Sequence, residues 1–216
     1  VADPEAFEAV AAQVLQRTGR IDGLVHSAIY MPLAPLAATS VAEWRRQLEV
    51  GLSGLFYGVR ATWTALGRRG GHIVGVASGS SLRGYPDEVP YCALKHGQEG
   101  FVKALALEAR AHAIAVNTVG PGAPIKTTRL SWAELEALPE EQKAAWADPR
   151  ELGRAVVWLL GQPPARYSGL RFDAAPILAA LEREGEDFAP SPDKLTLYPE
   201  DFRVRQAWFA NYPPET

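Results

Sequence analysis

The sequence contains a single cysteine, Cys92, in 216 residues. One cysteine cannot form an intramolecular disulfide, which excludes the class of small secreted proteins held by such bonds and favours a cytoplasmic location. Histidine is also scarce, and the spacing of the four histidines does not match that of a zinc site: they are His26, His72, His96 and His112. The sequence therefore predicts no metal site.

Long hydrophobic runs and an excess of positive charge are absent too. No apolar segment reaches the roughly 20 residues that cross a bilayer, and no signal peptide is visible before the first helical pattern. The formal net charge of -3 gives no basic surface for nucleic acid. Hydrophobic residues make up 47% and charged residues 22%, which is typical of a globular domain. We therefore expect one compact domain that binds neither a membrane nor a nucleic acid.

Helical and strand-like patterns alternate along the chain. Asp3 and Pro4 begin an amphipathic helix that ends near Gly19, and Ser40 with Glu43 forms a capping box that opens a long helix. The predicted strands are residues 24–27, 73–77, 114–119 and, more weakly, 170–173, and further helices are predicted at 90–110 and 148–160. This alternation predicts an α/β fold with a doubly wound parallel sheet, joined by right-handed crossovers and covered by helices on both faces.

Polar and glycine residues follow two of these strands, where parallel sheets bind their ligands. Ser78 comes directly after one strand, and Gly120-Pro121-Gly122 follows the next. Tyr91 and Lys95 are four residues apart, which places them on one face of a helix. An ammonium beside a phenol favours the phenolate and lowers its pKa, so that the tyrosine can exchange a proton with a substrate oxygen that a serine holds. Taken alone, the Tyr-x-x-x-Lys pair is equally typical of an exposed helix face.

Taken together, these segments resemble the short-chain dehydrogenase/reductase family over residues 1–175. Residues 73–78 are similar to the strand with the active serine, 91–95 to the active helix, and 117–122 to the strand and loop against the nicotinamide. The resemblance implies a Rossmann-like three-layer α/β/α domain. It also implies an oxidoreductase that transfers a hydride between NAD or NADP and a small-molecule carbonyl or alcohol.

The resemblance assigns roles to individual residues. It implies that Tyr91 is the general acid/base, that Lys95 tunes Tyr91 and binds the nicotinamide ribose, and that Ser78 orients the substrate oxygen. Further residues are implied on the cofactor side. They are His26, Ala28, Pro121, Gly122, Ile125 near the carboxamide and Thr127 near the phosphates. For His26 a second role is open, that of a buried and hydrogen-bonded structural residue.

The sequence departs from the family in three places. The opening strand and its glycine-rich turn would precede Val1, so the usual first βαβ segment is lacking. The segment His26-Ser27-Ala28-Ile29 stands where the family has Asn-Asn-Ala-Gly, and the asparagine of the family's proton relay falls at Gly51. The enzyme hypothesis therefore has an alternative, a catalytically degenerate member that serves as a structural or regulatory subunit of a complete relative. A lyase or isomerase that uses Tyr91 without nicotinamide is a third possibility.

The chain divides at about residue 175. Residues 176–216 mix acids, prolines and aromatic residues, and we expect this C-terminal extension to pack on the body or on a neighbouring subunit. The long helices Ser40 to Leu66 and Pro90 to Arg110 are expected to pair with their copies in a homodimer or homotetramer, or with a complete relative in a hetero-oligomer. The sequence does not identify the substrate.

Overall fold

Four parallel strands form a single sheet in the order β1-β2-β3-β4 in the computed structural model, which describes residues 1–125, 131–143, 146, 148–185 and 188. The strands are β1 (Gly23–His26), β2 (Gly71–Val76), β3 (Ile114–Gly120) and β4 (Arg171–Asp173). Ile73 pairs with Leu24 on one side and with Val116 on the other. All four predicted strands are confirmed, with small shifts at their ends.

Eight α-helices are present in the described part of the chain. They are α1 (Pro4–Thr18), α2 (Val41–Leu48), α3 (Gly54–Gly67), α4 (Val89–Ala109), α5 (Trp132–Glu136), α6 (Glu140–Lys143), α7 (Pro149–Leu160) and α8 (Ala174–Glu184). Short 3-10 turns cover Leu36–Ala38, Gly79–Ser81 and Arg110–His112. A π-helical segment, Glu49–Ser53, joins α2 to α3. The long helix predicted from Ser40 is therefore present, but it contains a wide turn around Gly51.

The predicted capping residues begin and end these helices. The Asp3 carboxylate accepts hydrogen bonds from the backbone N–H groups of Glu5 and Ala6, at 2.9 and 3.2 Å. Gly19 ends α1 with a left-handed φ of 74°, which glycine adopts without strain. Ser40 and Glu43 form the reciprocal capping box. Because these capping residues act within a single turn, they could be recognised from the sequence as helix boundaries.

Helices cover both faces of the sheet. On one face, α3 and α4 pack against Ile73 and Val116. On the other face, α7 and α8 pack against Val74 and Val119. Neighbouring residues of a strand point to opposite faces, and Ile73 and Val74 accordingly belong to different clusters. The predicted doubly wound α/β class is confirmed.

The connection from β3 to β4 differs from the sequence prediction. The first two connections run through α3 and α4 on one face, whereas the third runs through α7 on the opposite face. All three connections step in the same direction across the sheet, so the third has the opposite hand to the first two. The expectation of right-handed crossovers throughout is therefore wrong. The apolar stripe of α7 is instead buried against β4 and α8, through Tyr167, Phe172 and Ile177.

The described part of the C-terminal extension packs on the body. Ile177 and Leu178 of α8 are buried against α7, and the Trp158 indole donates a hydrogen bond to the backbone oxygen of Phe188 at 3.2 Å. The rest of the extension lies outside the described residues, so its packing stays a prediction. No helix in the described ranges is long and apolar enough to cross a membrane.

Candidate active site

The carboxyl ends of β2 and β3 open onto a cavity of about 840 Å³. Ser78, Tyr91 and Lys95 all line it, so the structure brings the three predicted catalytic residues together. Ala77 follows the last residue of β2, and its N–H donates to the backbone oxygen of Val119 at 2.9 Å. Ser78 comes directly after Ala77. The Ser78 hydroxyl caps the next 3-10 turn by accepting a hydrogen bond from the Ser80 N–H at 3.2 Å. These bonds hold Ser78 at the end of the strand.

Tyr91 lies in the first turn of α4 and is half-buried. Burial raises the pKa of its hydroxyl above the ordinary value, and a hydrogen bond with the Ser78 side chain opposes this rise. The Lys95 ammonium lies over the ring of Tyr91, with Nζ 5.6 Å from the ring centroid. The expectation that Lys95 lowers the pKa of Tyr91 stays a prediction.

Lys95 is only 4% exposed. Its Nζ donates to the backbone oxygen of Val76 at 2.6 Å and to Oε1 of Gln98 at 3.0 Å. Burial lowers the pKa of the ammonium to about 8, the nearby Glu99 carboxylate opposes this, and Arg171 adds to it. An ammonium has three N–H donors, so one is left for a ligand in the cavity.

His26 is buried and is not among the residues that line the cavity. It is 4% exposed, and its Nε2 lies 3.0 Å from the backbone oxygen of Gly51, to which it donates because a carbonyl only accepts. Burial lowers the pKa of the imidazole. Neither His26 nor Ala28 is among the residues that line the cavity, whereas their neighbours Ser27 and Ile29 are. The structure thus supports the structural role of His26, and the cofactor contact of Ala28 stays a prediction.

The loop after β3 forms another wall of the cavity. Pro121, Gly122 and Ile125 line it as predicted. Gly122 has a left-handed φ of 74°, and a Cβ built on it would lie 3.1 Å from Cβ of Asp173, so a side chain would be both strained and crowded there. Thr127 lies outside the described residues.

Two buried residues of the site were missed in the sequence. Gln98, 1% exposed, bonds to Lys95 as described above and donates from Nε2 to the Gly51 oxygen at 2.7 Å. Arg171, 6% exposed, donates to the Glu99 carboxylate at 2.8 Å and to the backbone oxygen of Ser78 at 3.0 Å. The available signal was a polar residue in an apolar pattern: Gln98 interrupts the buried stripe of α4, and Arg171 interrupts a three-residue strand.

The chain is similar in sequence to known proteins. Residues 1–169 match the family described as enoyl-(acyl carrier protein) reductase. The chain is 34% identical over 127 residues to trans-4-hydroxycyclohexanecarboxylate dehydrogenase of Sinomonas cyclohexanicum, which covers 59% of this chain and 49% of that protein. It is 32% identical over 175 residues to acetoacetyl-CoA reductase of Paracoccus denitrificans, covering 78% of this chain and 72% of that one. The chain thus spans about half the length of the Sinomonas relative.

Solved structures share the fold. The gluconate 5-dehydrogenase of Burkholderia cenocepacia J2315, solved in complex with NADP and tartrate, is 26% identical with a TM-score of 0.68, over 80% of this chain and 70% of that one. The structure of ElxO with NADP bound is 21% identical with a TM-score of 0.72, over 82% and 75% of the two chains. Fold and site together define a Rossmann-like oxidoreductase class. Within that class, the chain belongs to the short-chain dehydrogenase/reductase family.

Proposed function

We propose that this protein is an NAD(P)-dependent oxidoreductase that transfers a hydride between the nicotinamide and a small-molecule carbonyl or alcohol. The observation that carries the proposal is the convergence of Ser78, Tyr91 and Lys95 on one cavity at the carboxyl ends of β2 and β3. Family membership supports the reaction class. The names of the Sinomonas and Paracoccus relatives, a dehydrogenase of a hydroxylated carboxylate and an acetoacetyl-CoA reductase, support the substrate class.

The cavity fits the nicotinamide end of such a cofactor. Lys95 has one N–H available for a ribose hydroxyl beside Tyr91, and the wall formed by Pro121, Gly122 and Ile125 is suited to a flat ring because it is largely apolar. When bound, the nicotinamide supplies or accepts the hydride. Both solved relatives described above hold NADP, which supports NAD or NADP as the cofactor class.

The protein's own residues handle the oxygen atom and its proton. The Ser78 hydroxyl donates a hydrogen bond to the substrate oxygen and orients the carbonyl. Tyr91 gives its proton to that oxygen as the carbon is reduced, so that an alcohol forms. The Lys95 ammonium then stabilises the phenolate that is left on Tyr91.

The reaction is tested by following NADH or NADPH consumption with a panel of ketones and aldehydes. Tyr91→Phe removes the proton donor and is expected to lower kcat by at least about 100-fold. Tyr57→Phe is the matched control, because the Tyr57 hydroxyl is bonded to Glu49 and does not line the cavity. Equal turnover by Tyr91→Phe and the unsubstituted protein would contradict the mechanism. If the unsubstituted protein turns over no combination of cofactor and carbonyl compound, the result would favour the alternative, a structural or regulatory subunit of a complete relative.

We also propose that a second copy of the chain covers the outer surface of α3 and α4. These helices and the π-helical segment border an open groove of about 430 Å³, lined by Leu52, Ser53, Phe56, Tyr57, Gly97 and Phe101. Phe56 is 44% exposed, and exposed apolar patches of this kind mark contact surfaces. Sedimentation velocity distinguishes a dimer or tetramer from a monomer. We also propose a cytoplasmic location, which is supported by the presence of a single cysteine in the sequence.

A further inference from the structure

Gln98 is a polar residue in an apolar stripe of α4. Leu94, Gln98, Val102 and Ala106 are spaced four residues apart, and each is at most 1% exposed. This spacing puts all four on the face that α4 buries against the body. A primary amide at such a position destabilises the fold unless both of its polar ends are hydrogen-bonded. Gln98 therefore needs partners that an apolar side chain would not.

Both ends of the amide have such partners. Oε1 accepts a hydrogen bond from the Lys95 ammonium at 3.0 Å, and Nε2 donates to the Gly51 oxygen at 2.7 Å. The same oxygen accepts a hydrogen bond from His26. The result is a buried chain of contacts from Lys95 through Gln98 and Gly51 to His26. It joins α4 to the π-helical segment and to β1.

Gly51 makes this contact possible by its lack of a side chain. A Cβ built on Gly51 would lie 2.8 Å from Cδ1 of Leu94, one turn before Gln98 on the same face of α4. A side chain at position 51 would collide with α4. The short hydrogen bond from Gln98 to the Gly51 oxygen depends on the close approach of α4 to the backbone of Gly51. The π turn at Glu49–Ser53 is the kind of local widening that occurs frequently at functional sites.

We propose that Gln98 is a positioning residue, whose amide fixes the Lys95 ammonium so that its remaining N–H faces the cavity beside Tyr91. The backbone oxygen of Val76 fixes a second N–H, and two fixed directions determine the third because the ammonium is tetrahedral. The inference deepens the proposed function and rests on it for the effect on turnover. The contact between Gln98 and Lys95 does not depend on that function.

Charged and titratable groups face Lys95 from three elements. Tyr91 and Glu99 lie on α4 itself, His26 lies on β1, and Arg171 lies on β4. Glu99 favours the charged ammonium, whereas Arg171 disfavours it. The Gln98 oxygen favours the charged form as well, because it accepts a hydrogen bond from the ammonium. Changing Gln98 must therefore move the titration of Lys95 in a direction set by the new side chain.

The test is an NMR titration of the protein labelled with 13C at lysine Cε, without cofactor. The chain has only five lysines, which are Lys95, Lys103, Lys126, Lys143 and Lys194. The variant Lys95→Met identifies the signal of Lys95, because that signal is missing from its spectrum. Gln98→Met keeps the length of the side chain but removes the acceptor, and is expected to lower the pKa of Lys95 by about one unit. Gln98→Glu places a carboxylate at the same distance, and is expected to raise that pKa by about one unit or more.

Gln47→Leu is the matched control. Gln47 is also 1% exposed, and its amide bonds to the Pro32 oxygen rather than to Lys95. The pKa of Lys95 is expected to stay unchanged in this variant, since loss of a buried amide alone does not touch the ammonium. Opposite shifts of the Lys95 pKa in Gln98→Met and Gln98→Glu distinguish a positioning role of Gln98 from a packing role. If Gln98 only packed, the two variants would not shift this pKa in opposite directions.

The proposal is overturned if both Gln98 variants leave the pKa of Lys95 where it is in the unsubstituted protein. If neither variant folds, the side-chain amide signals of Gln98 in the unsubstituted protein decide, and they must shift with the Lys95 titration. Where turnover is measurable, the pH at which kcat/KM changes must move in the same two directions. Turnover with unmoved pKa values would reject this inference alone, whereas shifted pKa values without turnover would reject only the proposed function.

Discussion

Lys95, which we propose to be catalytic, lies where burial disfavours its charge. The ammonium is almost fully buried at the ends of β2 and α4, and its pKa is about 8 instead of the ordinary 10.5. The neutral amine is therefore more favoured at this site than it is for a lysine in water. At neutral pH the folded protein carries a cation that desolvation opposes, and the hydrogen bonds to Val76 and Gln98 offset only part of this cost.

This burial predicts a pH dependence of stability. Between about pH 8 and pH 10.5 the unfolded chain still holds the Lys95 proton that the folded protein has released, so stability rises with pH across this window. Below about pH 8 both states are protonated and the full cost is present. Relative to Lys95→Met, the free energy of unfolding should rise by up to about 3 kcal/mol from pH 7 to pH 10.5.

Urea denaturation of the two proteins at several pH values measures this difference. The Lys95→Met variant acts as the reference, because all other titrating groups contribute to both curves. A difference in unfolding free energy that does not change with pH would show that Lys95 titrates in the folded protein as it does in water.

At the scale of secondary-structure elements, a buried ion pair joins α4 to β4. The Arg171 guanidinium donates to Glu99 at 2.8 Å, and the two side chains are 6% and 10% exposed. Thr118 of β3 donates to the same carboxylate at 3.1 Å, and Arg171 also donates to the backbone oxygen of Ser78. The pair thus fixes α4, which carries Tyr91 and Lys95, relative to the strand ends.

Removing one charge of this pair should destabilise the fold strongly. Glu99→Gln leaves the Arg171 guanidinium buried without its main counter-charge, and the expected loss of unfolding free energy is about 3–5 kcal/mol. The double variant Glu99→Leu/Arg171→Met removes both charges and should lose less, although it also removes the partner of the buried Asp173 carboxylate, which lies 3.4 Å from Arg171. Glu151→Gln is the control, because its partner Arg154 is 53% exposed and such pairs contribute about 0–1 kcal/mol. A loss below about 1 kcal/mol for Glu99→Gln would mean that water or another group compensates Arg171.

The elements predicted well are those with local signals. Asp3 and the Ser40–Glu43 box begin helices through bonds within one turn, and the apolar runs of β2 and β3 need only the chain itself. The π turn around Gly51 was missed because it reflects the approach of α4, which is distant in sequence. The roles of Gln98 and Arg171 were missed for the same reason, since their partners lie 47 and 72 residues away. The hand of the last crossover depends likewise on which face α7 and α8 bury.

At the scale of the whole molecule, four strands and two helical layers bring distant residues to one cavity. Ser78 comes from the end of β2, Tyr91 and Lys95 come from α4, and Pro121 comes from the loop after β3. The family resemblance predicted this convergence, and the structure places these residues around the same space. Arg83, Tyr85 and Glu88 also line the cavity and offer both charged and aromatic contacts.

The central claim is that this cavity binds a nicotinamide cofactor through Lys95. Fluorescence titration of the purified protein with NADH and NADPH tests it most directly, with Lys95→Ala as the test variant and Lys103→Ala, on the same helix, as the matched control. We predict micromolar binding of at least one cofactor, weakened at least about tenfold by Lys95→Ala because a charged hydrogen bond is lost, and unchanged in Lys103→Ala. Absence of binding at millimolar cofactor, or equal binding by Lys95→Ala, would contradict the claim.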